Sequence, residues 1–223
     1  MSILCYLLIA LGAYLLGSIP FGFLVAKARG IDIRSVGSGN IGATNAMRVL
    51  GKPAGIFVLL LDAFKGYAAS CFLPPAVWNG LAPHFSGFYV RFQNWPADHQ
   101  ARFIVIAGVF AVLGHNYTCW LKFKGGKGIA TTAGVYVALA PWAVLAALMV
   151  FVLALLLTRY VSVASMAAAV VLPAAVWVRS PHDWLLGSVT TGLGALAIYK
   201  HKANLQRLRA GTENRFGKKK ETP

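Results

Sequence analysis

Three short polar stretches hold most of the residues that can do chemistry in this chain. The first is GSGNIGATNAMRVLG, residues 37–51. Gly37, Gly39 and Gly42 let the backbone reach positive φ and approach a ligand closely. Successive backbone N–H groups in such turns form an anion-binding concavity, here interleaved with Ser38, Asn40 and Asn45. Thr44 or Asn45 can cap a short helix, NAMRVL, that Gly51 closes. Arg48, one turn inside that helix, can grip a phosphate through two parallel N–H bonds. A flexible linker has no need of Ser38, Asn40, Asn45 and Arg48 together.

The second stretch, GGKGIATT at 125–132, has the same physics. Gly125, Gly126 and Gly128 surround Lys127, and a helix follows at once. A glycine turn feeding a helix N-terminus suits an anion. The spacing is not that of a Walker A loop. The third stretch is YKHKANLQRLRAGTENRFG, residues 199–217. His201, Asn204, Leu205 and Leu208 share one helical face, while Lys202, Gln206 and Arg209 point away. A basic amphipathic helix on lipid is the plain reading. The inward His201 and Asn204 favour a part in the site, and His201 can shuttle a proton near neutral pH. Asp62 and Lys65 stand three residues apart within an apolar run. Charges there are costly and pair, so a structural ion pair is expected before a catalytic one.

These stretches must be positioned by membrane helices. Of 223 residues, 58% are hydrophobic and only 12% charged, whereas soluble domains carry about 25% charged residues. Continuous apolar runs near 20 residues specify an all-α, polytopic integral membrane helix bundle and argue against a β-barrel. The whole chain, 1–223, reads as a single membrane domain with no separate soluble module.

The apolar spans are expected at 2–26 with a kink at Pro20, at 54–74 ending on Pro74-Pro75, and at 102–120. Residues 76–101, with Trp78, Tyr89 and Trp95, suit an interfacial outer loop. The apolar stretch 129–157 contains Pro141. Dividing it there adds helices near 129–140 and 141–157, followed by 161–178 and 184–199. The total is then about seven, with the N-terminus outside and the C-terminus cytoplasmic. The shortest, on the order of 12 residues, does not span a ~30 Å core unaided. Seven passes place the basic segments 27–53, 121–132 and 200–217 on the cytoplasmic side. They contain Lys27, Arg29, Arg34, Arg48 and Lys52, then Lys122, Lys124 and Lys127, then eight basic residues from Lys200 onward. Six helices would put that basic tail outside, against positive-inside bias.

The net charge of +15 fits this topology and attraction to anionic lipid and substrate better than nucleic-acid binding. Cys5, Cys71 and Cys119 have neither disulfide nor metal-knuckle spacing. The N-terminal run has no basic residue before it and reads as a retained helix rather than a cleaved signal. The last residues, RFGKKKETP, read as a frayed basic end.

Five motifs in order are similar to the bacterial acyl-phosphate:glycerol-3-phosphate acyltransferase family. They are GSIPFG at 17–22, GSGNIGATNAMRVLG, LDAFKG at 61–66, GHNYTCWLKFKGGKG at 114–128 and HKANLQRLRAGTE at 201–213. The resemblance implies an enzyme of phospholipid synthesis in the bacterial cytoplasmic (inner) membrane. It would transfer a fatty acyl group from acyl phosphate to the 1-hydroxyl of sn-glycerol 3-phosphate, giving lysophosphatidate and phosphate. It assigns Ser38 and Arg48 to the site, glycerol 3-phosphate binding to the glycine loop around Lys127, and His201 and Asn204 to the third motif. Glu213 is implied to matter for integrity.

The chemistry of the residues agrees with this. The two substrates bring about four negative charges, which Arg48, Lys127 and the backbone N–H groups of both glycine loops can neutralise. Acyl phosphate is already activated, so the glycerol hydroxyl can attack directly, with Ser38, Asn204 and backbone donors stabilising the oxyanion. The base is His201 or a substrate phosphate oxygen, and a covalent acyl-Ser38 is the rival route. None of His84, His99, His115, His182 and His201 has an aspartate five residues on, so the pair typical of acyl-CoA-using glycerolipid acyltransferases is missing. No metal and no cofactor is expected. A transporter or channel for an anionic metabolite is the alternative, but it wants polar groups on both sides. A lipid-binding scaffold has no need of two glycine loops. Oligomeric state and acyl-chain preference are not written in the sequence.

Overall fold

The computed structural model describes residues 2–86 and 97–217, and the described residues contain helices and turns but no strand. The helices are α1 (Ser2–Ser18), α2 (Phe21–Lys27), α3 (Ala43–Leu50), α4 (Lys52–Cys71), α5 (Leu73–Ser86) and α6 (Ala97–Asn116). They continue with α7 (Ile129–Leu139), α8 (Pro141–Thr158), α9 (Val161–Arg179), α10 (Trp184–Lys200) and α11 (Lys202–Arg209). By contact they group into two compact units, Met1–Leu139 and Ala140–Pro223, each described separately below.

Five stretches among the described residues are long and apolar enough to cross a membrane: Ile3–Lys27, Lys52–Leu81, His99–Leu121, Pro141–Thr158 and Val161–Arg179. The 17-residue α10 is about 26 Å long at 1.5 Å per residue. The 11-residue α7 is about 17 Å long.

Prolines punctuate the chain in two ways. Pro20 breaks the first span between α1 and α2, because its nitrogen carries no proton for the ladder. Pro53 and Pro141 sit in the first turns of α4 and α8, where the N–H is not needed. Ala140 separates α7 from α8, so the apolar stretch 129–157 does divide at Pro141. Pro74-Pro75 behaves differently from the sequence expectation. The second span does not stop there: α4 ends at Cys71, and both prolines lie in the first turn of α5, which runs on to Ser86. The expected outer loop at 76–101 is therefore helical over 76–86 and again from Ala97. Trp78 is a core residue, packed with Cys5, Ile9 and Phe103. Tyr89 and Trp95 lie outside the described residues.

In the first unit α1 and α6 run parallel. Tyr6 packs tilted against Phe103, ring centroids 4.4 Å apart, near their starts, and Tyr14 donates to the Tyr117 carbonyl at 2.7 Å at their ends. Thr118 donates to the Ser18 carbonyl at 2.6 Å. α4 lies against α7 through small residues: a Cβ on Gly66 would overlap the Thr131 carbonyl, and one on Gly134 the Ala63 carbonyl. Such residues let membrane helices approach closely. A second core, Ala26, Ile33, Ile41, Ala46, Val58 and Leu121, lies under the polar segments.

In the second unit α9 packs between α8 and α10. The turn between α8 and α9 is held by the chain that follows α11. Phe216 N–H donates to the Arg159 carbonyl at 2.6 Å, and Arg215 Nε to Tyr160 Oη at 3.0 Å. The expected frayed end therefore does not include Arg215 and Phe216, because both residues are bonded. Residues 218–223 lie outside the described residues.

Candidate active site

The segment before α3 is organised by one buried amide. Asn45 is 1% exposed. Its Nδ2 donates to the carbonyls of Ile33 (3.2 Å), Val36 (3.1 Å) and Asn40 (2.9 Å). Its Oδ1 accepts from the Ser38 N–H at 2.9 Å and lies 3.5 Å from Arg48 Nη1. Ser38 and Arg48, both exposed, are thereby anchored to one atom. Gly37 has φ +65, and a Cβ there would overlap Asn45 Oδ1; only glycine lets the chain pass this close to the amide.

Several expectations for this loop change in detail. Gly37 and Gly39 adopt positive φ, but Gly42 has φ −83. Neither Thr44 nor Asn45 caps α3. The N-cap is Gly42, without a side-chain bond, because the Asn45 carboxamide is committed to the loop. Gly51 does close the helix, at φ 94. The N–H groups of Gly39 and Gly42 donate to Val36 O and Asn40 Oδ1. They brace the turn instead of pointing at an anion. Two of the neighbouring cations are likewise engaged. Arg29 donates to the last carbonyl of α3, Leu50, at 3.0 Å. Arg34 pairs with Asp32 at 2.7 Å, and its guanidinium holds the Asp32 carboxyl down at about 2.

The Lys127 loop folds back on the end of α6. Phe123 N–H donates to Thr118 O, Gly125 N–H to Asn116 O at 3.2 Å, and Gly126 N–H to His115 O at 2.9 Å. Gly125 and Gly126 thus spend their amides on α6, which corrects the expectation that these N–H groups face phosphate. The two glycines serve close approach: a Cβ on Gly125 would overlap the His115 carbonyl, and one on Gly126 the His115 ring. Gly128, at φ +81, lies against the Asn116 side chain. It starts α7 by accepting from Thr132 N–H at 2.7 Å. Leu121 joins this loop to the core beneath the Ser38–Arg48 segment. Both glycine-rich segments are therefore seated on one apolar cluster of the first unit.

Below that cluster, Asp62 and Lys65 form a buried ion pair at 2.9 Å. Lys65 Nζ also donates to the Ile19 carbonyl at 2.9 Å, beside the break made by Pro20, and lies 5.6 Å from the Phe21 ring centroid. The pair helps to satisfy the interrupted helix. His115 Nδ1 stands 3.5 Å from the same Asp62 oxygen. His115 and Asn116 lie in the GHNYTCWLKFKGGKG motif, but neither is among the site candidates the sequence points to. The GHN tripeptide at the end of an apolar run, just before the glycine loop, was the available signal.

In the second unit His201 is the junction between α10 and α11, and it is buried with Asn204. Leu205 and Leu208 are half-buried on the same side, whereas Lys202, Gln206 and Arg209 are exposed, as the helical spacing indicates. His201 Nδ1 lies 2.7 Å from the Ala197 carbonyl. A carbonyl only accepts, so Nδ1 carries the proton and Nε2 is the basic nitrogen of the neutral ring. Asn204 Nδ2 donates to Glu213 Oε1 at 2.7 Å. Glu213 also accepts from Ser162 Oγ at 3.0 Å and Arg207 Nε at 2.7 Å. Burial raises the Glu213 pKa, but the bonds from Asn204, Arg207 and Ser162 outweigh it and hold the carboxyl below its ordinary range.

Fold and loops together define a polytopic helical membrane protein with two glycine-rich basic segments seated on one core. The family model described as glycerol-3-phosphate acyltransferase matches residues 7–211. The chain belongs to this family. It is 47% identical over 211 residues to the glycerol-3-phosphate acyltransferase of Geobacter metallireducens, covering 94% of this chain and 97% of that one. The Geotalea daltonii protein of the same name is 43% identical over 211 residues, with the same coverage. Among solved structures, the chain resembles PlsY (YgiH), an integral membrane glycerol 3-phosphate acyltransferase. The TM-score to its glycerol 3-phosphate form is 0.79 at 37% identity, covering 95% of this chain and 96% of that one. For its lysophosphatidic acid form the TM-score is 0.76 at 36% identity, covering 95% of each chain.

Proposed function

We infer that this chain is a glycerol-3-phosphate acyltransferase that takes its acyl group from acyl phosphate and delivers it to the 1-hydroxyl. The products are lysophosphatidate and phosphate. The acceptor follows from family membership. The observation supporting the site is the shared anchoring of Ser38 and Arg48 on Asn45 Oδ1, in a turn seated on the same core as the Lys127 loop. The enzyme works in the bacterial cytoplasmic membrane with seven passes, its N-terminus outside and its basic loops on the cytoplasmic face.

In the reaction the glycerol hydroxyl oxygen attacks the acyl carbonyl carbon. The new ester C–O bond forms as the acyl–phosphate C–O bond breaks, and phosphate leaves with the electron pair. The hydroxyl proton passes to a base, His201 Nε2 or a phosphate oxygen. Arg48 and Lys127 balance the phosphate charges, which otherwise repel each other. Ser38 hydrogen-bonds the reacting oxygens, and Asn204 supports the oxyanion. Because the braced glycine amides donate within the protein, side-chain cations carry more of the phosphate recognition than the sequence alone implies.

Purified protein incubated with acyl phosphate and labelled glycerol 3-phosphate is expected to make labelled lysophosphatidate. Arg48→Ala and Lys127→Ala are expected to abolish the product while the melting temperature is retained. Full activity in both variants refutes the site. An acylated enzyme trapped on Ser38, or ping-pong kinetics, replaces direct transfer with the covalent route.

A further inference from the structure

The proposed reaction uses Lys127 but not the buried group its loop rests on. His115 holds the neighbouring Gly126 from two directions. Its carbonyl accepts the Gly126 N–H at 2.9 Å, and its ring lies so close to the Gly126 Cα that any Cβ would overlap Nε2. The opposite edge of the ring faces Asp62, with Nδ1 3.5 Å from Oδ1. Asp62 is in turn tied to Lys65 at 2.9 Å, and Lys65 to the Ile19 carbonyl at 2.9 Å. All three side chains are almost wholly enclosed: His115 is 5% exposed, Asp62 2% and Lys65 2%. The ring therefore sits between a loop glycine and a charge pair that is itself anchored at the α1–α2 break.

We propose that His115 is a positioning residue for glycerol 3-phosphate binding: locked by Asp62, its ring sets the height of Gly126 and hence of Lys127. It touches neither substrate. Its effect passes through the loop, as outer groups orient the inner ones at other binding sites. This rests on the reading that the Lys127 loop binds glycerol 3-phosphate.

The contact is testable because it is a matter of space. Gly126→Ala drives its Cβ into the ring and displaces the loop. His115→Ala removes the ring and leaves room for that Cβ. Steady-state kinetics of the full-length protein are expected to show Gly126→Ala raising KM for glycerol 3-phosphate on the order of tenfold or more, with KM for acyl phosphate near wild type. The double variant His115→Ala/Gly126→Ala is expected to recover most of that loss. Effects that multiply, or KM changes equal for both substrates, overturn the proposal. Tryptic cleavage after Lys127 reads loop position without turnover. It is expected to be faster in Gly126→Ala and to return toward the wild-type rate in the double variant. A wild type that makes no lysophosphatidate faults the assigned reaction. In that event the cleavage pattern alone decides the positioning role, and its failure to compensate overturns it.

Discussion

Asn204 donates its amide to Glu213 at 2.7 Å, which joins a site candidate to the carboxylate that ties α11 to α9. The bond shows how the second unit makes a rigid mount from a short polar helix. Glu213 accepts from Ser162, Asn204 and Arg207 together, so α11 cannot turn without breaking at least one charged hydrogen bond.

Glu213→Ala is expected to destabilise the protein by about 2–3 kcal/mol, since it removes hydrogen bonds to a charged acceptor. The pH dependence has a definite sign. The folded pKa of Glu213 is lowered, so its stabilisation is fully present above the ordinary glutamate value of about 4.3. That stabilisation is lost as pH falls through the lower folded value. Thermal melts of wild type from about pH 6 to about pH 3, on either side of the ordinary glutamate value of about 4.3, should show a drop that Glu213→Gln flattens. A parallel drop in both proteins removes Glu213 as the cause.

Asn45→Ala strips the loop of the partner for three carbonyls and for the Ser38 N–H. The expected cost is about 2–3 kcal/mol, together with a fall in turnover as Ser38 and Arg48 lose their common anchor. Asn45→Asp should do no better, because a carboxylate oxygen would face the carbonyls that now receive N–H. Retained turnover in Asn45→Asp would mean that Ser38 and Arg48 hold their places without this amide.

Breaking the Asp62–Lys65 pair leaves a charge buried in the membrane-spanning part of the first unit. Asp62→Ala is expected to cost about 3–5 kcal/mol, and Asp62→Ala with Lys65→Met distinctly less. Melting temperatures in detergent read the difference. A well-folded but inactive Asp62→Ala protein would instead give Asp62 a part in the activity, either directly or through His115, whose Nδ1 it faces at 3.5 Å.

His201→Asn separates packing from chemistry. The asparagine amide can reproduce the Nδ1–H bond to the Ala197 carbonyl but has no basic nitrogen at the Nε2 position. If His201 takes the hydroxyl proton, turnover should fall on the order of a hundredfold or more, with a melting temperature close to wild type. Activity near wild type would transfer the proton to the substrate phosphate.

The sequence by itself determined the class of fold and the neighbourhood of the chemistry. Apolar runs of membrane length have no other stable answer than helices, and the helix breaks at Pro20 and Pro141 follow from a missing N–H at each position. The buried face of α11, with His201 and Asn204, follows from helical spacing. These depend on residues within a few turns of each other. Tertiary structure alone decided which backbone groups still face a ligand and which are spent. Gly125 and Gly126 look like anion donors in the linear chain, yet their N–H groups are taken by Asn116 and His115 at the end of α6. Asn45 looks like a cap or a ligand contact, yet its carboxamide gathers carbonyls as far back as Ile33. Pro74-Pro75 looks like a stop, yet it opens α5, whose Trp78 finds a core with Cys5 and Phe103. A polar group has a fixed number of bonds to make, and only the folded chain settles which distant partner takes them.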